Sequence, residues 1–342
     1  MPDLSNLPLW PTTLIFLASA VAIALAGWRL SGVADELADR TGMGEVVAGA
    51  LFVGAATSLP GAITSVSTAA QDAPDLAVGN ALGGLTAQTA FIAVADIFYR
   101  RANLEHAAAS VTGLAQGALL VVLLTVPLIA STAPSWTFWG IHPATIGIPL
   151  IYGFGLRLLG QIQETQLWEP VQTDETREQI SETEDKPEGH MRSLWVRFLV
   201  LAGITAVAGY TIGESSLGLV ELTPLDGTGV GTVFAGVANS LPELVTAIAA
   251  VRMGAVSLAM GDVIGGNAFE VMFLAAADVV HDGSIYAEID ATQRGTALIA
   301  ITMTGVLLLG MLRRQKEGFA KIGFESVIVL ALYALSVALV VL

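Results

Sequence analysis

Long apolar stretches, separated by short polar connections, recur along the whole chain. A helix needs about 20 predominantly apolar residues to cross the hydrocarbon core of a bilayer. We therefore predict ten membrane helices, near residues 12–30, 45–70, 76–98, 107–130, 143–160, 195–213, 228–252, 257–280, 295–312 and 322–342. No basic residue precedes the first stretch, so we interpret it as a retained span rather than a removed signal peptide. The pattern predicts an all-α integral membrane protein.

The basic residues test this arrangement independently. Of the 15 Lys and Arg residues, only Arg294 lies away from the odd-numbered connections between the predicted spans. Short loops on the cytoplasmic side of a membrane carry an excess of Lys and Arg. We therefore expect an even number of spans, both termini outside, and a multi-pass protein of the cell (plasma) membrane.

The composition narrows the classes of function. Only 13% of the residues are charged, whereas soluble domains carry roughly 25%. The absence of cysteine excludes disulfides, thiolate metal sites and iron–sulfur clusters. All four histidines lie in loops or at span ends, which argues against haem or a buried zinc ion. We expect that the protein is not an enzyme and that it has no cofactor and no nucleic-acid partner. The sequence leaves the oligomeric state open, and a monomer is compatible with it.

One long hydrophilic stretch divides the chain. Residues 161–194 contain many more acidic than basic residues and so contribute to the net charge of −15. We interpret this stretch as a solvated cytoplasmic linker between residues 1–160 and residues 195–342. A regulatory segment that senses cations is the alternative.

The segment 54–96 resembles the segment 236–278 without a gap, so that equivalent residues are separated by one constant spacing, the repeat offset. In the first half the shared positions are Gly54, Ala56, Ser58, Leu59, Pro60, Thr64, Ala77, Gly79, Gly83, Gly84, Ala95 and Asp96; in the second they are Gly236, Ala238, Ser240, Leu241, Pro242, Thr246, Ala259, Gly261, Gly265, Gly266, Ala277 and Asp278. Five predicted spans separate equivalent positions. Because five is odd, the second copy must cross the membrane in the opposite direction, which predicts two inverted five-helix repeats.

The two Ser-Leu-Pro segments, at residues 58–60 and 240–242, fall near the centres of their predicted spans. A proline there removes one backbone donor and frees a carbonyl group one turn earlier. Such a break is tolerated inside a membrane only where the freed groups face protein, water or an ion. The repeat therefore predicts a functional site near the midplane.

Glu243 and Glu270 lie near the centres of the predicted seventh and eighth spans, with no Lys or Arg at that depth. Buried carboxylates in a membrane usually mark an ion pathway or site, and oxygen atoms are the ligands of hard cations. The candidate ligands for calcium, sodium or protons are Glu243, Glu270, Ser240, Asn239 and Asn267 from the second half and Ser58, Thr57 and Gln88 from the first. In the alternative interpretation both glutamates stay protonated and only connect helices by hydrogen bonds.

Three further acidic residues receive other roles in this interpretation. Asp262 is expected to pair with Arg252 across a short cytoplasmic turn. Asp96 and Asp278 fall at the ends of their predicted spans and are expected to face water.

The paired Ser-Leu-Pro-(Glu) and Gly-Asn/Asp-x-x-Gly-Gly segments resemble the two alpha repeats of the calcium/cation antiporter superfamily, which includes sodium/calcium exchangers. The resemblance implies a sodium/calcium exchanger-like fold. It also implies that the ion sites are lined by Glu243, Glu270, Gln88, Asn239, Ser240, Thr57 and Ser58. Two departures stand out: Gly61 occupies the position of the first repeat's glutamate, and Gln88 is neutral where its counterpart Glu270 is acidic.

The remaining charge of −2 can be balanced by one calcium ion, two sodium ions or two protons. The resemblance therefore implies a secondary-active antiporter that works by alternating access, with sodium/calcium-type exchange slightly ahead of calcium/proton exchange. Because Gly61 removes one carboxylate of the family pattern, an uncoupled, channel-like protein is the rival from another class. The partners expected in every case are inorganic cations and the lipid bilayer.

Overall fold

The computed structural model describes residues 7–41, 54–99, 103–134, 136–138, 140–165, 191–253, 256–315 and 323–342. These residues form an all-helical fold, apart from short turns and one isolated bridge between Phe138 and Ile141. The helices are α1 (Leu9–Thr41), α2 (Gly54–Thr57), α3 (Leu59–Ala69), α4 (Pro74–Phe98), α5 (Leu104–Ala107), α6 (Val111–Thr132), α7 (Pro143–Glu164), α8 (Met191–Leu222), α9 (Gly227–Asn239), α10 (Leu241–Met253), α11 (Val256–Val280), α12 (Ala291–Arg313) and α13 (Phe324–Val341).

Within the described ranges, eight helices are long and apolar enough to cross a membrane, and nine if the bent pair α9–α10 counts as one span. They coincide with nine of the predicted stretches, although α1 and α8 run well beyond the predicted bounds. The other predicted span, 45–70, is described only from Gly54 onwards, where α2 and α3 form its second part. Residues 45–53 of that prediction lie outside the described residues, as does most of the acidic linker.

Helices α4 and α11 form the centre of the bundle. Most of their residues are buried, whereas fewer than half of the residues are buried in the apolar stretch of each other long helix. Both helices carry apolar or small residues around their whole circumference, as expected for helices that are enclosed by protein. Each half of the sequence thus contributes one central helix.

Small residues let the central helix α4 approach its neighbour α9 backbone to backbone. A Cβ atom at Gly236 would lie 2.6 Å from the backbone nitrogen of Gly84, and one at Gly231 would lie 2.6 Å from the carbonyl oxygen of Leu76. Six residues of α9, Val230–Ala235, form a π-helical stretch beside this contact. Close contacts between small residues are a general means of associating helices in membranes.

The long helices α1 and α8 pack side by side and contact the proline segments of the repeats. Gly27 of α1 lies against the ring of Pro242, and Gly209 of α8 lies against the backbone of Pro60. In each pair, the glycine of one sequence half meets the proline of the other. The two glycines are separated by the repeat offset, as are the two prolines.

The prediction that Asp96 and Asp278 face water is wrong, because both are buried, with exposed fractions of 0% and 1%. Asp96 accepts hydrogen bonds from the backbone nitrogens of Leu104 and Gly323, and Asp278 accepts them from His142 and Ile285. Asp96 also accepts a hydrogen bond from the hydroxyl of Ser326, and Asp278 accepts one from the hydroxyl of Thr145. They hold the starts of α13 and α7, where helix N–H groups lack intrahelical partners.

Candidate functional site

Both proline segments interrupt a helix inside the bundle. Helix α2 ends at Thr57 and α3 begins at Leu59, and α9 and α10 meet at Ser240 with a bend of 44°. Pro60 and Pro242 stand in the first turn of the new helix, where the missing N–H is not needed. The side chains of Ser58 and Ser240, at the two interruptions, are buried.

Glu243 lies in the first turn of α10 and is 1% exposed. The start of a helix favours a negative charge, because its free N–H groups and macrodipole point there. The carboxylate lies beside the side chains of Thr57 and Ser58 from the other half. Neither of its oxygen atoms has a hydrogen bond of regular geometry among the described residues.

Glu270 lies on the central helix α11 and is 3% exposed. Its Oε1 atom accepts a hydrogen bond of 2.6 Å from Nε2 of Gln88, the equivalent position of the first half. The same nitrogen lies 3.4 Å from the hydroxyl of Ser240. Glu243 and Glu270 lie close enough for the charge of one to influence the other, so both belong to one site.

The two predicted asparagines donate to neighbours and keep their oxygen atoms available. Nδ2 of Asn239 donates to Oγ1 of Thr64 at 3.0 Å and to Oδ1 of Asn80 at 2.8 Å. Nδ2 of Asn267 donates to Oγ1 of Thr89 at 2.8 Å. The Oδ1 atom of each asparagine therefore accepts no hydrogen bond from the described residues.

All eight predicted site residues are buried, none more than 4% exposed. Six of them carry oxygen atoms with no hydrogen-bond partner in the part of the chain that the structure describes: Ser58, Gln88, Asn239, Glu243, Asn267 and Glu270. Unpaired buried oxygens are costly, whereas carboxylate, amide and hydroxyl oxygens suit sodium, calcium or a proton. No described group of three or more His, Cys, Asp or Glu residues could hold a metal ion. A cation here would have two carboxylates and several neutral oxygens as ligands.

Sequence reasoning did not assign Asn80 to the site. Nδ2 of Asn80 donates to the carbonyl oxygen of Gly61 at 3.0 Å and to Oγ of Ser65 at 2.8 Å, so it holds the broken helix in place. The signal was available, since Asn80 is the polar counterpart of Asp262 within an apolar span.

The predicted pair of Asp262 and Arg252 is not formed. The guanidinium carbon of Arg252 lies 5.3 Å from the centre of the Phe98 ring. Asp262 instead lies with its Oδ2 atom 3.5 Å from the hydroxyl of Thr246. Asp262 lies almost two helical turns after Val256, the first residue of α11, and is therefore well along the helix from Arg252.

Comparison with known proteins decides the family. The model of the family described as sodium/calcium exchanger protein matches residues 11–152 and 193–342, well over half of the chain. The chain belongs to this family. The resemblance to the calcium/cation antiporters is thereby confirmed, and so is the prediction that the protein is not an enzyme, because the family consists of transporters.

Two curated relatives extend this finding. The inner membrane protein YrbG of Escherichia coli is 27% identical over 263 residues, which cover 77% of each chain. The sodium/calcium exchanger MaX1 of Methanosarcina acetivorans is 35% identical over 86 residues, which cover 25% of this chain and 24% of that protein. This family member is accordingly a multi-pass membrane protein.

Solved structures share its fold. The sodium-calcium exchanger NCX_Mj aligns with a TM-score of 0.60 at 16% identity, over 97% of this chain and 99% of that one. The H⁺/Ca²⁺ exchanger CAX aligns with a TM-score of 0.65 at 16% identity, over 97% of this chain and 82% of that one. At these identities the similarity concerns the fold alone.

Proposed function

We propose that this family member is a secondary-active antiporter that exchanges one calcium ion for two sodium ions by alternating access. The observation that carries the proposal is the set of unpaired buried oxygens around Glu243 and Glu270 among the described residues. Family membership supports transport of cations, and the oxygen set suits hard cations. The eight residues named from the sequence form the proposed binding site.

Counting charges gives the proposed stoichiometry. Two carboxylates supply −2, which one calcium ion or two monovalent ions neutralise. A loaded site without net charge avoids the cost of moving a charge through the low-dielectric core. Exchange on this basis transfers no net charge across the membrane.

Calcium/proton exchange is the second candidate. Each unpaired carboxylate can take up one proton, and two protons balance the site as well as two sodium ions do. The fold of the H⁺/Ca²⁺ exchanger CAX matches this chain over nearly its whole length, which keeps this candidate close.

We further propose that the chain forms ten spans in two inverted halves, residues 1–160 and 195–342, joined by a cytoplasmic linker, with both termini outside the cell membrane. Contacts between residues related by the repeat offset support this arrangement. Gln88 bonds Glu270, and Gly27 and Gly209 each contact the proline of the opposite half. A pseudo-twofold axis between inverted repeats would place equivalent residues in such reciprocal contacts.

Calcium flux into proteoliposomes tests the function. The vesicles are loaded with sodium or with acid buffer, and uptake of external calcium is followed under each gradient separately. We expect one of the two gradients to drive uptake, and Glu243→Gln or Glu270→Gln to slow it about 10- to 100-fold, since each removes one charged ligand worth about 1.5–3 kcal/mol.

Glu214→Gln is the matched control, because Glu214 is also buried but bonds Gln71 at 2.7 Å, outside the proposed site. Uptake that neither gradient drives, or that both site variants leave unchanged, would rule out the antiporter. Calcium leak without any gradient would favour the channel-like alternative.

A further inference from the structure

The counterpart of Glu243 in the first half is Gly61, one repeat offset earlier. The surroundings of the two positions correspond as well. Glu243 lies beside Thr57, and a Cβ atom at Gly61 would lie 3.6 Å from Cβ of Asn239, the counterpart of Thr57. A side chain at position 61 would therefore reach the same site from the opposite half.

The ring of Phe273 occupies the space in front of Gly61. A Cβ atom at Gly61 would lie 2.9 Å from Cε2 and 3.5 Å from Cζ of this ring. Phe273 is 2% exposed and lies one turn after Glu270 on α11. Residues three apart on a helix are neighbours on one face, so the ring is adjacent to the second carboxylate of the site.

Other aromatic side chains hold the ring in this position. Phe269 meets Phe273 edge to face, with ring centres 6.1 Å apart and an interplanar angle of 85°. Tyr152 packs against Phe269 in the same manner, also at 6.1 Å. Edge-to-face pairs stabilise a definite ring orientation. Moving the ring away from Gly61 would disturb this row.

We propose that position 61 is the specificity-determining position of the site: Gly61 supplies no carboxylate from the first half, and the ring of Phe273 fills the place that such a carboxylate would take, so the site keeps two charges. The inference rests on the proposed cation exchange and deepens it. With Gly61 and Phe273 in place, the site carries two positive charges in each direction, as one calcium ion or as two monovalent ions. With a third carboxylate, it would carry calcium against three monovalent ions.

The packing also dictates how this idea can be tested. Gly61→Glu alone forces the new side chain against the buried ring, and overpacking of this kind is destabilising. In the double variant, Phe273→Ala removes more side-chain volume than Gly61→Glu adds. The matched control is Gly61→Gln with Phe273→Ala, which has the same shape without the charge.

The experiment measures calcium uptake by sodium-loaded or acid-loaded proteoliposomes with and without a potassium diffusion potential. We expect uptake by the wild type, by Phe273→Ala and by the Gln double variant to be insensitive to the potential. In the Glu double variant an inside-positive potential should favour uptake, because one positive charge then leaves with each cycle. The calcium accumulation ratio should change tenfold for about every 59 mV.

Calcium binding to the two purified double variants gives a second readout that does not require transport. A third carboxylate ligand should tighten binding at least about tenfold relative to the Gln double variant. Equal affinities, voltage-insensitive uptake by the Glu double variant, or voltage-sensitive uptake by the wild type would each overturn the proposal. If the wild type shows no gradient-driven uptake, the proposed function fails, and the two affinities still decide the role of position 61.

Discussion

Three buried carboxylates, those of Asp96, Glu105 and Glu325, lie together near the end of α4. The hydroxyl of Ser326 donates to Asp96 at 2.9 Å and lies 3.4 Å from Oε1 of Glu105. Glu105 belongs to the short helix α5, outside the described spans. Burial, together with the charges of Asp96 and Glu325, raises the pKa of Glu105 well above its ordinary value of 4.5.

The shifted pKa predicts a pH-dependent stability. The folded protein holds the Glu105 proton more tightly than the unfolded chain, so this contribution is present at low pH and is lost as the pH rises above the ordinary glutamate range. Glu105→Gln, which mimics the protonated form, should flatten the fall of the unfolding temperature in detergent as the pH rises. Glu164→Gln, at an exposed glutamate, serves as the control. Parallel curves for Glu105→Gln and the wild type would contradict the assignment.

At the scale of single residues, the sequence identifies a site residue when its side chain is polar and the surrounding stretch is apolar. Glu243 and Glu270 stand out in this way. Asp96 was misplaced because its burial depends on partners far along the chain, Gly323 and Ser326, which lie 227 and 230 residues away. The contact of the Phe273 ring with Gly61 could not be predicted, since it depends on how α11 packs against α3.

The helices follow from the apolar runs, and their interruptions follow from the prolines. The Ser-Leu-Pro motifs predict where α2 gives way to α3 and α9 to α10. The π-helical stretch Val230–Ala235 and the separate helix Leu104–Ala107 were not predicted. They depend on packing against other helices, which hydropathy along one segment does not contain.

The direction in which each helix crosses the membrane gives the next prediction. Because the chain has no cysteine, single cysteines can report sidedness without a background. Two exposed positions are suitable: Glu164, at the end of α7, and Asp282, just after α11. The proposed arrangement places Glu164→Cys in the cytoplasm and Asp282→Cys outside.

Labelling intact cells with a membrane-impermeant maleimide distinguishes the two sides. We expect Asp282→Cys to react in intact cells and Glu164→Cys only after the membrane is opened. The reverse pattern would invert the topology, and labelling of both positions in intact cells would refute the ten-span arrangement.

At the scale of the molecule, a repeated backbone carries unequal chemistry. Central helices and proline breaks occur once in each half, and equivalent residues such as Gln88 and Glu270 meet directly. The charges do not repeat, since both central carboxylates come from the second half. The repeat could be predicted from the sequence, whereas the filling of the Gly61 position by an aromatic ring required the three-dimensional packing.

Equilibrium calcium binding to the purified protein tests the central claim most directly. We expect the wild type and Glu214→Gln to bind one calcium ion per chain, displaced by sodium or by protons according to the coupling ion. The double variant Glu243→Gln/Glu270→Gln should bind at least about 100-fold more weakly, because it lacks both charged ligands. Calcium binding of unchanged affinity in that double variant would contradict the account.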